Sequence, residues 1–283
     1  MAMSENSYLS LGAHGFHRLV YSEWGAADGR RTVICVHGLT RNGRDFDALA
    51  MALEADFRVA CPDLPGRGRS HWLPVPAAYS PPVYMSDMAT LIARLGAEEV
   101  DWVGTSLGGL LGMMLAAQPN TPIRRLVLND IGAFAAKESL ARIATYVGAD
   151  PLFADLNALE GYLREIHAPF GPLTDTQWRH IASHSSRPDP SGGLRLHYDP
   201  ALSAPFKDGF AEDVSLWPLW DAISCPVLIL RGGDSDILSH ETAATMLTRG
   251  PQAELITFPG IGHAPMLMEA DQIAAVRNFL MAR

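Results

Sequence analysis

The sequence contains few cysteines, with only Cys35, Cys61 and Cys225 among 283 residues. Three scattered cysteines exclude a disulfide framework, and they lack the paired spacing of a zinc site. Each lies within or beside an apolar, strand-like run, so we expect buried free thiols rather than a nucleophilic cysteine. Free thiols are typical of a reducing compartment, and we therefore expect a cytoplasmic protein.

Long apolar runs and clusters of basic charge are also missing. No run of about 18 apolar residues predicts a membrane span, and residues 1–8 lack the basic and apolar pattern of a signal peptide. The chain has 22 basic and 31 acidic residues, which gives a net charge of −9, and no basic cluster. We therefore expect neither nucleic acid nor a membrane as a partner.

What the chain does contain is an alternation of strand-like and helix-like segments, within a composition that is 48% hydrophobic. Residues 8–12 and 16–24 are typical of a hairpin. Further apolar strand-like runs follow at 31–37, 57–61, 100–103, 125–129, 226–230 and 254–258. Strands that alternate with helices over short links predict a mostly parallel sheet covered on both faces.

The alternation is interrupted in the middle of the chain. Residues 133–221 contain helix-like segments but no convincing strand, and strands resume after them. We therefore predict a core formed by residues 1–132 and 222–283, with a helical cap at 133–221 inserted into it. Because this insertion follows the carboxyl end of a strand, we expect it to lie over residues 104–108 at the same edge of the sheet.

The most informative stretch is Gly104-Thr105-Ser106-Leu107-Gly108, which lies between an apolar strand and an apolar helix. A Gly-x-Ser-x-Gly in this context predicts a nucleophile elbow, whose tight turn admits only glycine two positions before and two after the serine. The turn would present the Ser106 hydroxyl at the carboxyl edge of the sheet.

A serine hydroxyl needs a base to take its proton and an acid to orient that base. His263 follows the last strand in a loop with Gly260 and Gly262, and we predict it to be the base. For the acid we favour Asp236, because it lies deep enough in the loop after residues 226–230 to turn back towards His263. Asp234 in the same loop and Asp130 after residues 125–129 are the alternatives.

Acyl transfer also needs hydrogen-bond donors for the oxyanion. We predict the backbone N–H groups of Leu107, directly after the nucleophile, and of Leu39 in the loop after residues 31–37. His37 precedes this loop, and we expect it to hold the loop in place rather than to act in catalysis.

These motifs resemble the α/β-hydrolase superfamily over most of the chain outside the predicted cap. The resemblance rests on His37-Gly38-Leu39, Asp63-Leu64-Pro65-Gly66-Arg67-Gly68-Arg69-Ser70, the 104–108 elbow, Asp236 and Gly262-His263, in the order nucleophile, acid, base. It implies an α/β-hydrolase fold with a mostly parallel eight-stranded sheet, flanking helices and an inserted helical cap. In that family the 63–70 loop has a structural role.

The expected activity is hydrolysis of a small-to-medium carboxylic ester through an acyl-enzyme, with water as acceptor and without a cofactor or metal. A carbon–carbon bond hydrolase or enol-lactonase of aromatic catabolism is the alternative reaction, and a ligand-binding member without turnover is the alternative of another class. We expect the cap and the loop after Leu39 to select the substrate, with Arg41, Asn42 and Trp217 as candidate contacts.

Overall fold

The computed structural model describes residues 3–27, 30–206 and 212–282. Twelve strands are found in these ranges. They are β1 (Ser4–Gly12), β2 (Gly15–Trp24), β3 (Thr32–Val36), β4 (Arg58–Pro62), β5 (Val100–Thr105), β6 (Ile123–Asn129), β7 (Phe134–Ala135), β8 (Ser186–Pro188), β9 (Leu194–Leu196), β10 (Val214–Ser215), β11 (Val227–Gly232) and β12 (Ala253–Phe258).

Eight of these strands form one sheet in the order β1-β2-β4-β3-β5-β6-β11-β12. The predicted hairpin is present, since β1 pairs with β2 in antiparallel register, and β2 pairs with β4 in the same sense. All the remaining neighbours in the sheet are parallel. The predicted mostly parallel eight-stranded sheet is therefore confirmed.

The central strands are apolar on both faces, and alternate residues supply two separate hydrophobic layers. In β3, Ile34 and Val36 pack into one layer, whereas Val33 and Cys35 pack into the other. This is the period of two that a strand imposes, and burial on both faces explains why the runs read as continuously apolar. Burying one such side chain contributes about 1.5–3 kcal/mol.

Nine α-helices lie in the described ranges and cover both faces and the carboxyl edge of the sheet. They are α1 (Asp47–Leu53), α2 (Pro81–Leu95), α3 (Leu107–Ala116), α4 (Lys137–Ala144), α5 (Leu156–Ile166), α6 (Asp175–His184), α7 (Trp217–Ala222), α8 (His240–Met246) and α9 (Ala270–Met281). Short 3₁₀ helices occupy Gly43–Phe46, Pro76–Ala78, Ala168–Phe170 and Pro200–Phe206.

The segment between β6 and β11 contains α4–α7 and no strand of the large sheet in its described part. It does contain two small sheets, β7 with β10 and β8 with β9, so the expectation of no strand there was wrong. These strands have two or three residues each, which is too short for an alternating pattern to be recognised. We call this segment, residues 133–221, the inserted segment.

The inserted segment contacts loops at the carboxyl edge of the sheet. Pro169 accepts a 2.7 Å hydrogen bond from the backbone N–H of Gly262, and Ser185 accepts one of 3.0 Å from Arg41. The insertion therefore lies beside the loops that were predicted to carry the catalytic groups.

Cys35, Cys61 and Cys225 are buried and free, as expected. Burial raises the pKa of the Cys61 thiol and brings that of Cys225 to about 11, so these sulfurs stay protonated and unreactive near neutral pH. None of the helices in the described ranges has the length and apolar character that crossing a bilayer requires.

Candidate active site

Ser106 occupies a strained turn between β5 and α3, with φ +51° and ψ −112°. The flanking glycines are required by the close approach of backbone atoms. A Cβ at Gly104 would lie 2.3 Å from the carbonyl oxygen of Gly108, and one at Gly108 would lie 1.9 Å from that of Val36. The sequence motif thus has the steric cause expected of a nucleophile elbow.

A hydrogen-bonded chain links Ser106 to His263 and on to Asp130. The Ser106 Oγ lies 2.9 Å from His263 Nε2, and His263 Nδ1 lies 2.8 Å from Asp130 Oδ2. Because an ionised carboxylate only accepts hydrogen bonds, the Nδ1–H group donates a hydrogen bond to Asp130 and keeps its proton. Nε2 is then free to accept the serine proton, which is the arrangement that nucleophilic catalysis requires.

The Asp130 carboxylate is completely buried and accepts further hydrogen bonds from the end of β11 and from the loop that follows it. Its Oδ1 accepts from the backbone N–H of Gly232 at 2.8 Å, and its Oδ2 accepts from Ser235 Oγ at 2.6 Å. The neighbouring Asn129 donates to Thr105 Oγ1 and to the carbonyl of Pro265, so the same strand end also fixes the loop that bears His263. These donors satisfy a buried charge that would otherwise be costly.

The prediction that Asp236 orients His263 was wrong. Its side chain is 47% exposed and pairs with the Arg142 guanidinium on α4, and its backbone carbonyl accepts a hydrogen bond from Ser139. The loop after β11 turns outwards beyond Ser235, which carries Asp236 towards α4 rather than towards His263. Asp234 is also exposed, and its backbone N–H donates to the carbonyl of Ile261.

Of the two amides predicted for the oxyanion, one belongs to the residue after the nucleophile and the other to a loop that lines the same cavity. Leu107 is the first residue of α3, so its N–H has no partner within the helix. Leu39 lines the cavity in front of Ser106 while its carbonyl accepts a 2.8 Å hydrogen bond from Arg67. Within the described residues neither amide donates a hydrogen bond, which leaves both available to a developing negative charge.

His37 holds the loop that carries Leu39. Its Nδ1 donates to the carbonyl of Gly38 at 2.7 Å, and its Nε2 accepts from the backbone N–H of Leu64 at 2.9 Å. Burial and the nearby Arg67 charge lower the pKa of His37 to about 3, so the imidazole is neutral. Both ring nitrogens are used in the fold, and the structural role expected of His37 agrees with these contacts.

A cavity opens in front of the Ser106 hydroxyl, between the loops of the sheet edge and the inserted segment. Besides Ser106 and His263, its lining includes Leu39, Arg41, Tyr146, His167, Phe170 and Met266. A second compartment adjoins it and shares Thr40, Arg41, Tyr146 and His167 with the first. These four residues form the boundary between the cavity and this second, much smaller compartment.

The three candidate substrate contacts have different surroundings. Arg41 lines both compartments, and its guanidinium donates to both oxygens of Asp45 at 2.8 and 2.6 Å. Asn42 is absent from the lining beside Ser106 but lines the second compartment, and its Oδ1 caps a 3₁₀ helix by accepting from the backbone N–H of Arg44. Trp217 also lies away from that cavity, with Arg249 stacked on its ring.

One grouping of potential metal ligands, Asp47 with His180 and His184, was found among the described residues. Arg44 already donates to both oxygens of Asp47, and the His180 imidazole donates to the carbonyl of Arg44 at 2.9 Å. An arginine at the carboxylate opposes a cation there, so we interpret the cluster as a structural tie between α6 and the start of α1.

Sequence reasoning missed two residues of this site and misplaced a third. Ser235 and His167 were not singled out, and Asp130 was ranked below Asp236. A usable signal was present for Asp130: it follows directly on the apolar run of β6, the strand next to β5 in the sheet, so its side chain starts at the edge beside Ser106. No comparable pattern marks His167.

The fold and the site define an α/β hydrolase, and comparison with known proteins gives the same class. Residues 33–276 match the model of the alpha/beta hydrolase family, so the chain belongs to that family. The solved structure of an alpha/beta hydrolase from Novosphingobium aromaticivorans superposes with a TM-score of 0.88 at 40% identity, covering 98% of both chains.

Two curated relatives narrow the chemistry. A 3-hydroxybutyrate-oligomer hydrolase of Cupriavidus necator is 45% identical over 273 residues, which span 94% of this chain and 93% of the relative. A 2-(acetamidomethylene)succinate hydrolase of Mesorhizobium japonicum is 28% identical over 87% of this chain and 86% of the relative. The chain is an ester-cleaving serine hydrolase, and a small-molecule ester and water are its reactants.

Proposed function

We propose that this hydrolase cleaves short oligomeric esters of 3-hydroxy acids, with Ser106 as nucleophile, His263 as base and Asp130 as the orienting acid. The observation that carries the catalytic assignment is the continuous hydrogen-bonded chain from Asp130 through His263 to the Ser106 hydroxyl at the cavity. The substrate class is supported by the 45% identity to a 3-hydroxybutyrate-oligomer hydrolase over nearly the whole chain.

In the first half of the reaction, Ser106 Oγ attacks the ester carbonyl while His263 Nε2 takes the hydroxyl proton. The resulting oxyanion accepts hydrogen bonds from the amides of Leu39 and Leu107, and Asp130 stabilises the imidazolium. When the intermediate collapses, the carbon–oxygen bond to the alcohol breaks. His263 gives its proton to the departing alkoxide, which leaves an acyl group on Ser106.

In the second half, water replaces the alcohol. His263 takes a proton from the water as its oxygen attacks the acyl carbonyl, and the oxyanion again forms at the Leu39 and Leu107 amides. Collapse breaks the bond to Ser106 Oγ, which recovers its proton from His263, and the free hydroxy acid departs. The cycle returns the proton to Ser106 and needs neither a cofactor nor a metal.

The test measures hydrolysis of the 3-hydroxybutyrate dimer and trimer by the amount of monomer that they release. p-Nitrophenyl butyrate is assayed in parallel as a comparison substrate. Ser106→Ala should lower turnover of every cleaved substrate by about 10⁴-fold or more, because the nucleophile is lost. Folding of the variant is checked by circular dichroism. Near-normal turnover by Ser106→Ala would refute the nucleophile assignment, and cleavage of the nitrophenyl ester alone would refute the substrate class.

The same assay separates the alternatives. A dienoate ring-cleavage product in the substrate panel would be preferred by a carbon–carbon bond hydrolase. A fluorophosphonate probe would leave a ligand-binding member unlabelled, whereas an activated Ser106 reacts with it. We expect labelling of the native chain and none of Ser106→Ala.

The organisation around this activity forms part of the proposal. We propose that residues 133–221 act as a cap on a core of residues 1–132 and 222–283, and that the enzyme is cytoplasmic. The buried free thiols at Cys35, Cys61 and Cys225 agree with a reducing compartment. We further propose that it works without nucleic acid or a membrane as partner.

A further inference from the structure

The second compartment has no part in the catalytic steps, and it adjoins the cavity at Ser106 across the four shared residues. It extends from this boundary towards Tyr162, Ser185 and Tyr198 in the inserted segment. A substrate held with its scissile carbonyl at Ser106 would bring the rest of its acyl unit to the boundary. The residues there therefore influence which acyl units are accepted.

His167 is the boundary residue with unused hydrogen-bonding capacity. It lies between α5 and the following 3₁₀ helix, where its backbone N–H donates to Leu163 and its carbonyl accepts from Phe170. Its ring lies parallel to the Phe170 ring, with centroids 4.5 Å apart. Within the described part of the chain, no hydrogen bond engages either ring nitrogen, although the ring lines both compartments.

The His167 ring is neutral, which makes it a suitable hydrogen-bond partner for an uncharged oxygen of the substrate. Burial, followed by the positive charges of Arg41 and His263, lowers the pKa of His167 well below its ordinary value. The imidazole is therefore neutral near pH 7 and offers one N–H donor and one nitrogen acceptor. Arg41 is less able to select the substrate by charge, because Asp45 accepts two hydrogen bonds from its guanidinium.

We propose that His167, at the boundary between the two compartments, binds the oxygen at position 3 of the hydroxyacyl unit whose carbonyl lies at Ser106. This inference rests on the proposed function. A 3-hydroxyacyl unit carries this oxygen as a free hydroxyl or as the next ester of the chain, whereas the acyl unit of a butyrate ester carries none there. Binding such an apolar acyl chain displaces water from the His167 ring without replacing its hydrogen bond, and this cost disfavours the butyrate ester.

The experiment measures kcat/KM for two substrates in two enzymes. The 3-hydroxybutyrate dimer carries the 3-hydroxyl on its acyl unit, and the butyryl unit of ethyl butyrate lacks it. His167→Phe keeps an aromatic ring beside Phe170 but removes the hydrogen bond. We expect it to lower kcat/KM for the dimer about tenfold, mainly through KM, with little effect on ethyl butyrate. His167→Asn, which retains a donor and an acceptor, should restore part of the loss.

Controls make each outcome decisive. His240→Phe makes the same substitution at an exposed histidine on the core and should change neither substrate. If His167→Phe loses kcat/KM equally on both substrates, or on neither, the role of His167 is refuted. The proposed function still holds in that case, provided that the native enzyme cleaves the dimer.

A binding measurement separates the two proposals further. Calorimetric titration of Ser106→Ala with the dimer, with and without His167→Phe, reports binding apart from turnover. Weaker binding in the double variant supports the role of His167. If the native enzyme cleaves ethyl butyrate but Ser106→Ala does not bind the dimer, both the substrate class and the role of His167 are wrong.

Discussion

The loops after β6 and after β11 each present an aspartate at the carboxyl edge of the sheet, and the two carboxylates have opposite environments. Asp130 is fully buried and accepts hydrogen bonds from three groups, including His263. Asp236 has a side chain that is 47% exposed and pairs with an Arg142 side chain that is 41% exposed. Only the buried carboxylate can hold an imidazole in one orientation without competition from water.

The two loops contribute different parts of the hydrogen-bond network that orients His263. The loop after β6 supplies the acceptor, Asp130, and the donors to it are Gly232 at the end of β11 and Ser235 in the loop that follows. A position at the carboxyl edge of the sheet is therefore not enough to identify the acid. What distinguishes Asp130 is that its surroundings satisfy an ionised carboxylate in the absence of water.

The largest expected effect comes from removing the buried carboxylate while keeping its shape. Asp130→Asn should lower kcat by about 10⁴-fold, because the amide favours the imidazole tautomer in which Nε2 carries the proton and cannot accept one from Ser106. Steady-state kinetics on p-nitrophenyl butyrate measures the loss. Asp236→Asn is the matched control, and a circular dichroism melt confirms that both variants fold. Comparable losses in the two variants would erase the distinction between the loops.

A smaller effect should follow from the donor that the second loop provides. Ser235→Ala removes the 2.6 Å hydrogen bond to Asp130 Oδ2, and also the bonds that Ser235 Oγ accepts from the amides of Ile237 and Leu238. Losing one hydrogen bond to a charged group corresponds to a decrease of about tenfold to 100-fold in kcat/KM.

A variant that keeps the hydroxyl shows whether this effect acts through the hydrogen bond to the Asp130 carboxylate. Ser235→Thr retains the hydroxyl and serves as the control, and we expect it to recover most of the kcat/KM that Ser235→Ala loses. Equal losses in the two variants would mean that Ser235 acts only by shaping its loop.

Much of the fold was predictable because its signals are local. The apolar runs of β3 to β6 and the glycines around Ser106 follow from steric rules that act within a few residues. Two chemical assignments, Ser106 and His263, depend on the same local patterns, and the structure brings these two side chains together.

The choice of acid and the lining of the site could not be predicted in the same way. Asp130 is distinguished from Asp236 by contacts with residues more than 90 positions away, such as Ser235 and Arg142 respectively. His167 faces the cavity because of how α5 ends and packs on the sheet-edge loops, and nothing in its neighbourhood of the sequence indicates this. Long-range packing, rather than local propensity, fixes these positions.

The smallest effects are expected at the exposed ion pair of Asp236 and Arg142, whose loss should contrast with the loss of the buried Asp130 carboxylate. Asp236→Asn and Arg142→Ala remove an ion pair that water screens, so each should change the free energy of unfolding by no more than about 1 kcal/mol. Each should leave kcat on p-nitrophenyl butyrate within about threefold of the native value. Arg142 also lies near Tyr146, which lines both compartments, so any change should fall on KM for the oligomer. Urea unfolding and kinetics with both substrates measure these quantities, and a loss of kcat approaching that of Asp130→Asn would show that the loop after β11 contributes an acid after all.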